Sequence, residues 1–153
     1  MKTIIAVLCL STAAFAADFV YWPAAKLKGF PAQLKTKAAA GKKGAVASEQ
    51  LGNNGNFTFM VARRDSLGEP EVHAGWNDIF IAQDGEATLL YGGKVEGGHD
   101  TTPGETRGGK IVGGNSQKLG AGDMVVIPAG MPHQTNVESG KSFTYMVIKV
   151  EKK

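Results

Sequence analysis

The chain has 153 residues, a formal net charge of +3 and a single cysteine. This length suits one globular domain. A lone cysteine excludes a disulfide framework. The nearly balanced charge is accompanied by no nucleic-acid recognition motif, so we expect no nucleic-acid partner.

Residues 1–16 have the pattern of a secretory signal peptide. Lys2 supplies a positive start, residues 4–10 form an apolar run too short to span a bilayer, and Ala14-Phe15-Ala16 fits a small-x-small cleavage site. Cleavage after Ala16 would remove Cys9, which leaves no thiol for disulfides or cysteine catalysis. We therefore expect a secreted or periplasmic protein with no membrane attachment once the signal is removed.

Residues 17–56 are predicted to form an N-terminal extension. Residues 19–48 contain six lysines and no acidic residue. We interpret this basic segment as a solvated leader, with contact to an anionic surface as the alternative. A short helix is predicted at residues 33–40, before Gly41.

From Phe57 onward the sequence predicts strands, because short runs of aromatic and β-branched residues alternate with glycine and proline turns. The predicted strands are residues 57–63, 72–73, 78–83, 87–91, 117–119, 123–127, 134–137 and 143–150. Many short strands with regular turns are typical of an antiparallel sandwich or barrel. We expect residues 57–153 to form this all-β domain. No pattern in this range predicts a long amphipathic helix instead.

The segment from Gly92 to Gly114 carries nine glycines. An insertion of this length predicts either a functional lid or a mobile excursion. Arg107 lies within it and would suit a substrate carboxylate through a bidentate contact. His99 is interpreted as a solvated loop residue.

Four side chains remote in the sequence predict a metal site. Glu71 and His73 are two apart, so on a strand they point to one face. Asp78 follows after enough chain for a bend, and His133 comes from a later strand. Such mixed nitrogen and oxygen donors suit one divalent ion of Fe, Mn, Ni, Co or Zn. Trp76 and Phe80 are candidates to line a substrate cavity beside it.

Two motifs together resemble the paired signature of the cupin superfamily. The first consists of Glu71-Val72-His73, Asp78 and Gly85, and the second consists of Gly122, Pro128-Ala129-Gly130 and His133. The chain is similar to small secreted bacterial single-domain cupins over about residues 57–150. The resemblance implies a double-stranded β-helix, or jelly-roll barrel, that follows the N-terminal extension. It also implies that chains pair into a homodimer.

The metal ligands of cupins would fall by position on Glu71, His73, Asp78 and His133. The first motif is modified, because Glu71 stands where histidine is usual and Asp78 is one methylene shorter than the usual glutamate. The carboxylate adds a harder oxygen donor, which favours Mn(II) or Fe(II). The same change is also compatible with a pocket that binds no metal. Glu71 is expected to act either as the fourth ligand or as a general base.

Two functions stay open at the level of sequence. The first is a metal-dependent enzyme that acts on a small organic molecule by dioxygenase, decarboxylase, isomerase or lyase chemistry, since a fold does not fix a reaction. The second is a non-catalytic module that holds a sugar or another small molecule in the same cavity without metal.

Overall fold

The computed structural model describes residues 19–41 and 46–153, so the predicted signal peptide lies outside the described residues. Within them a helix precedes twelve strands, and every strand pairing is antiparallel. The elements are α1 (Ala24–Ala40), β1 (Ala47–Asn53), β2 (Phe57–Arg64), β3 (Glu71–His73), β4 (Trp76–Tyr91), β5 (Lys94–Glu96), β6 (His99–Thr102), β7 (Glu105–Arg107), β8 (Lys110–Val112), β9 (Asn115–Gly120), β10 (Met124–Ile127), β11 (His133–Asn136) and β12 (Phe143–Glu151). The all-β prediction is confirmed.

The longest strand, β4, joins the two halves of the barrel. Its first half pairs with β10 and β12, and its second half pairs with β9 and β11. Between the halves, the register with β12 shifts at Thr144 and Tyr145, and such a bulge bends the strand. Gly85 lies at this bend with φ of +75°, and a Cβ atom there would lie 1.9 Å from the Ser142 carbonyl oxygen. The predicted break between strands 78–83 and 87–91 is therefore a bend within a single strand.

The main sheet runs in the order β1-β2-β12-β4-β11-β3-β7-β6 and curls so that its inner face encloses a core. The fully buried side chain of Phe143 stacks on Tyr145, and Tyr145 contacts Phe80. Aliphatic side chains from both halves of β4 complete this cluster. Burial of this apolar surface is the main stabilising term for such a barrel.

The helix is longer than predicted. It begins at Ala24 rather than residue 33 and contains Pro31. Phe30 and Leu34 are each 2% exposed and pack against the outer face of the sheet beside Val61. This packing outweighs the low helix propensity that Gly29 and Pro31 give the segment. Within residues 19–41 and 46–153, no helix has the length and apolar content needed to cross a membrane.

The segment predicted as an extension contributes to the barrel sheet. Strand β1 pairs with β2 along its length. Lys37, from the basic segment, contacts the Ser48 carbonyl oxygen and the Glu49 carboxylate while its side chain stays 55% exposed.

The glycine-rich segment, predicted as a functional lid or a mobile excursion, forms a hairpin arm of paired strands, residues 94–112. Strand β5 pairs with β8, β6 pairs with β7, and β7 also pairs with β3. Because β7 extends the barrel sheet, the arm carries Glu105 and Arg107 to the end of the cavity.

Candidate metal centre

Three strands bring the predicted ligands together. Glu71 and His73 lie two apart on β3 and point to one face. His133 begins β11 and pairs directly with Glu71. Asp78 lies on β4, where its backbone is paired with Ile127 and Lys149. His73, Asp78 and His133 are each buried to 3% exposure or less.

The distances define a compact centre. His73 Nε2 lies 3.4 Å from Glu71 Oε2 and 3.5 Å from Asp78 Oδ2, while His133 Nε2 lies 3.7 Å from the same Asp78 oxygen. One ligand atom each from Glu71, His73 and His133 lie within 4.8 Å of one another. The four side chains that the sequence analysis singled out therefore converge.

Hydrogen bonds at Nδ1 fix the orientation of both imidazole rings. His133 Nδ1 donates to the Met131 carbonyl oxygen over 3.1 Å, and His73 Nδ1 donates to Glu105 Oε2 over 2.5 Å. A neutral ring that donates through Nδ1 has its lone pair on Nε2. Both Nε2 atoms are buried and have no hydrogen-bond partner in the described part of the chain. This arrangement, with an outer acceptor on Nδ1, is typical of metal-ligating histidines.

The surroundings shift the pKa values of three of these side chains, and not all in the direction that favours metal binding. Burial lowers the pKa of His133, and neighbouring acceptors offset this only partly. Burial alone would raise the pKa of Glu71, but the His73 contact and the charges of Arg107 and Arg64 outweigh it and lower this pKa to about 2. Burial opposes protonation of His73, yet Glu71, Asp78 and Glu105 raise its pKa. These shifts favour the carboxylate of Glu71 and the neutral ring of His133, which are the metal-binding forms, whereas an ion would have to displace the proton of His73 wherever that ring is charged.

Three basic side chains surround the carboxylates. Arg64 Nη2 and Arg107 Nη1 lie 3.0 and 2.9 Å from Glu71 Oε1, which leaves Oε2 directed toward His73. Lys149 Nζ lies 2.8 and 3.0 Å from the two oxygens of Asp78. A cation at the centre would share Asp78 with Lys149 or displace it. Glu71, His73 and His133 are consequently the more available ligand set.

A cavity of about 240 Å³ lies beside the centre. Arg107 and Phe80 line it as expected, and the Phe80 ring lies 6.1 Å from the His133 ring. Trp76 shares the strand face of Asp78 and Phe80 but is not a lining residue. His99, in the hairpin arm, is exposed and lies outside the centre.

Sequence reasoning missed Arg64, Glu105 and Lys149. Lys149 had a detectable signal, because it is the charged residue in the otherwise apolar run from Tyr145 to Val150, on the same strand face as Tyr145. Glu105 lies two residues before Arg107 and shares its face. Arg64 has no such signal, because it ends β2 beside a second arginine.

The residues present fit a divalent transition-metal ion. Two buried imidazole nitrogens lack partners, and a carboxylate oxygen from Glu71 faces them. Nitrogen and oxygen donors of this kind suit Mn, Fe, Co, Ni or Zn.

No protein-family model and no curated protein matches this sequence. Similar solved structures include a protein with a double-stranded β-helix domain from Klebsiella pneumoniae, with 15% identity, 72% of this chain and 80% of the other covered, and a TM-score of 0.53. A cupin superfamily protein from Desulfitobacterium hafniense has 13% identity, coverages of 73% and 83%, and a TM-score of 0.50. A conserved protein of unknown function from Streptococcus pyogenes has 15% identity, coverages of 73% and 79%, and a TM-score of 0.50. At these identities the likeness concerns the fold alone, and it confirms the predicted double-stranded β-helix.

Proposed function

We propose that this protein is a secreted or periplasmic enzyme that uses one divalent metal ion to transform a small organic molecule. Glu71, His73 and His133 hold the ion, and Asp78 is the fourth donor. The observation that carries this proposal is the pair of buried Nε2 atoms, fixed by their Nδ1 hydrogen bonds and directed with Glu71 at one point.

A metal ion with open coordination positions polarises a substrate oxygen or activates water or O2. Dioxygenase, decarboxylase, isomerase and lyase reactions all use such a site. The chain's own residues bind and orient the substrate in the cavity, where Arg107 supplies N–H donors and Phe80 supplies an apolar wall.

The pKa of Glu71, lowered to about 2, favours its role as a ligand over that of a general base. An efficient general base has a pKa near the working pH. Tyr145 retains its proton, because burial raises the pKa of its hydroxyl group. The Lys149 ammonium group is positioned in the cavity to donate a proton beside Asp78.

Metal content tests the proposal. The purified mature protein is reconstituted with Mn, Fe, Co, Ni or Zn, desalted and measured by elemental analysis beside a His73→Ala/His133→Ala variant. We expect one ion per chain in the wild type and almost none in the double variant. His99→Ala is the matched control, because it removes the third histidine at an exposed position, and it should retain the ion. Near-zero metal in all three proteins would overturn the proposal.

A second candidate is a non-catalytic small-molecule module without metal. It is favoured by one observation, that Lys149 and the two arginines already neutralise Asp78 and Glu71. A ligand-induced rise in melting temperature that survives chelator treatment, in protein that takes up no metal, would support this candidate.

Secretion and pairing remain predictions. Export from the native cell with a mature N-terminus after Ala16, identified by mass spectrometry, would support secretion. A molecular mass twice that of one chain, measured by light scattering, would support the homodimer.

A further inference from the structure

We infer that the ligand of this centre is a small organic acid, whose carboxylate binds at the ion between Arg64, Arg107 and Lys149. The inference rests on the proposed function and specifies its substrate class. It is carried by the balance of charges around the ligands, by the shape of the cavity and by the donors directed into it.

The fixed charges of the centre already cancel. Three carboxylates, those of Glu71, Asp78 and Glu105, contact the imidazole rings, and the three basic groups of Arg64, Arg107 and Lys149 contact two of these carboxylates. In common metal sites the carboxylate ligands offset the charge of the ion. Here their charge is offset before an ion arrives.

A divalent ion would therefore leave about two uncompensated positive charges at a largely buried site, which is costly. An anionic ligand removes that cost. Glu69 adds one further carboxylate, but it is 54% exposed and its contact with Arg107 is 4.0 Å, so solvent screens it.

The basic groups retain donors for a ligand. Arg107 contacts Glu71 through Nη1, and a guanidinium group carries five N–H donors in a planar fork. Arg64 uses Nη2 for Glu71 and Nε for Tyr145. All three basic groups line the cavity. A carboxylate is the group that matches such a fork in charge and geometry.

The cavity limits the rest of the ligand. Its volume of about 240 Å³ lies below the roughly 300–1,000 Å³ of sites for drug-sized ligands, which favours a small ligand. Met60, Phe80 and Val147 form an apolar wall on β2, β4 and β12, the strands that also carry Arg64, Asp78 and Lys149. A sugar would bury hydroxyl groups against this wall without partners. An acid with a short apolar body places its carboxylate and its apolar part against matching surfaces.

The test compares isobutyrate with isobutyramide, which have the same shape but differ in charge. Protein loaded with Co(II) is titrated with each by calorimetry, and the visible Co(II) spectrum is recorded. We expect isobutyrate to bind at least about tenfold more tightly than the amide. We also expect it to shift the spectrum and to bind more weakly to metal-free protein.

Variants assign the contacts. Arg107→Gln and Lys149→Met should each weaken isobutyrate binding by about tenfold and isobutyramide binding much less, because only the acid loses a charge-assisted contact. Lys110→Met is the matched control, because it removes an exposed charge in the hairpin arm, and it should bind both ligands as the wild type does.

Elemental analysis of the same samples distinguishes failure of this inference from failure of the proposed function. Equal affinity for the acid and the amide in metal-loaded protein would overturn this inference and leave the proposed function intact. Unchanged isobutyrate binding in both variants would overturn it as well. Failure of the wild type to take up metal would overturn the proposed function and this inference with it.

Discussion

Replacing Lys149 with methionine is expected to destabilise the metal-free protein and to tighten metal binding. Lys149 contacts both oxygens of Asp78, which is buried. Methionine keeps most of the side-chain volume but leaves this carboxylate without a cation. An ion at the centre would then bind Asp78 without competition from the ammonium group.

The structure sets the size of both effects. Breaking a buried ion pair by removal of one partner costs about 3–5 kcal/mol. The Lys149 side chain is 22% exposed, so water reaches the pair and we expect a loss of about 2 kcal/mol. If the ion fully replaces the lost cation, the same 2 kcal/mol appears as metal affinity that is tighter by roughly 30-fold.

Two measurements check this prediction. Urea unfolding of chelator-treated protein gives the stability loss, and competition with a chelator of known affinity gives the metal dissociation constant. Lys110→Met, which removes a charge with 72% exposed side-chain surface, should change neither quantity appreciably. Metal binding that is unchanged or weaker in Lys149→Met would refute the idea that Lys149 competes with the ion for Asp78.

Three further predictions concern stability. The lowered pKa of Glu71, about 2 instead of 4.5, means that its carboxylate stabilises the metal-free fold above pH 4.5 and loses this contribution as the pH falls toward 2. Between pH 6 and pH 3, the free energy of unfolding measured with urea should therefore fall by about 2 kcal/mol more in the wild type than in Glu71→Gln. Parallel pH profiles of the two proteins would contradict this. Phe143→Ala should lower the free energy of unfolding by about 3–5 kcal/mol, because the Phe143 side chain is fully buried. A decrease below about 1 kcal/mol would be inconsistent with this packing. Gly85→Ala should lower the thermal midpoint much more than Gly140→Ala, because both have positive φ but only Gly85 meets a carbonyl oxygen. Equal shifts would show that the bend in β4 tolerates a side chain.

Short-range sequence patterns predicted correctly the features that depend only on residues close together in the chain. Alternation in Glu71-Val72-His73 predicts that both side chains face the barrel interior, and they do. His133 was expected on a later strand, and it begins β11 opposite Glu71. The prediction of strand ends failed at Gly85. Glycine in a sequence suggests a turn between two strands, but here a bulge in the pairing with β12 only bends β4, which continues through Gly85.

Short strands and regular turns predicted the all-β barrel, and strand alternation predicted that Glu71 and His73 share a face, because both depend on residues close together in the chain. The convergence of this pair with Asp78 and His133 was implied by the resemblance of the two motifs to those of cupins. Only the tertiary structure decided which charges meet those ligands. Lys149 is 71 positions from Asp78, and Arg107 reaches Glu71 because β7 pairs with β3. The early start of α1 was also decided by packing of Phe30 on the sheet. Electrostatic and apolar contacts depend on distance in space, and strand order sets that distance.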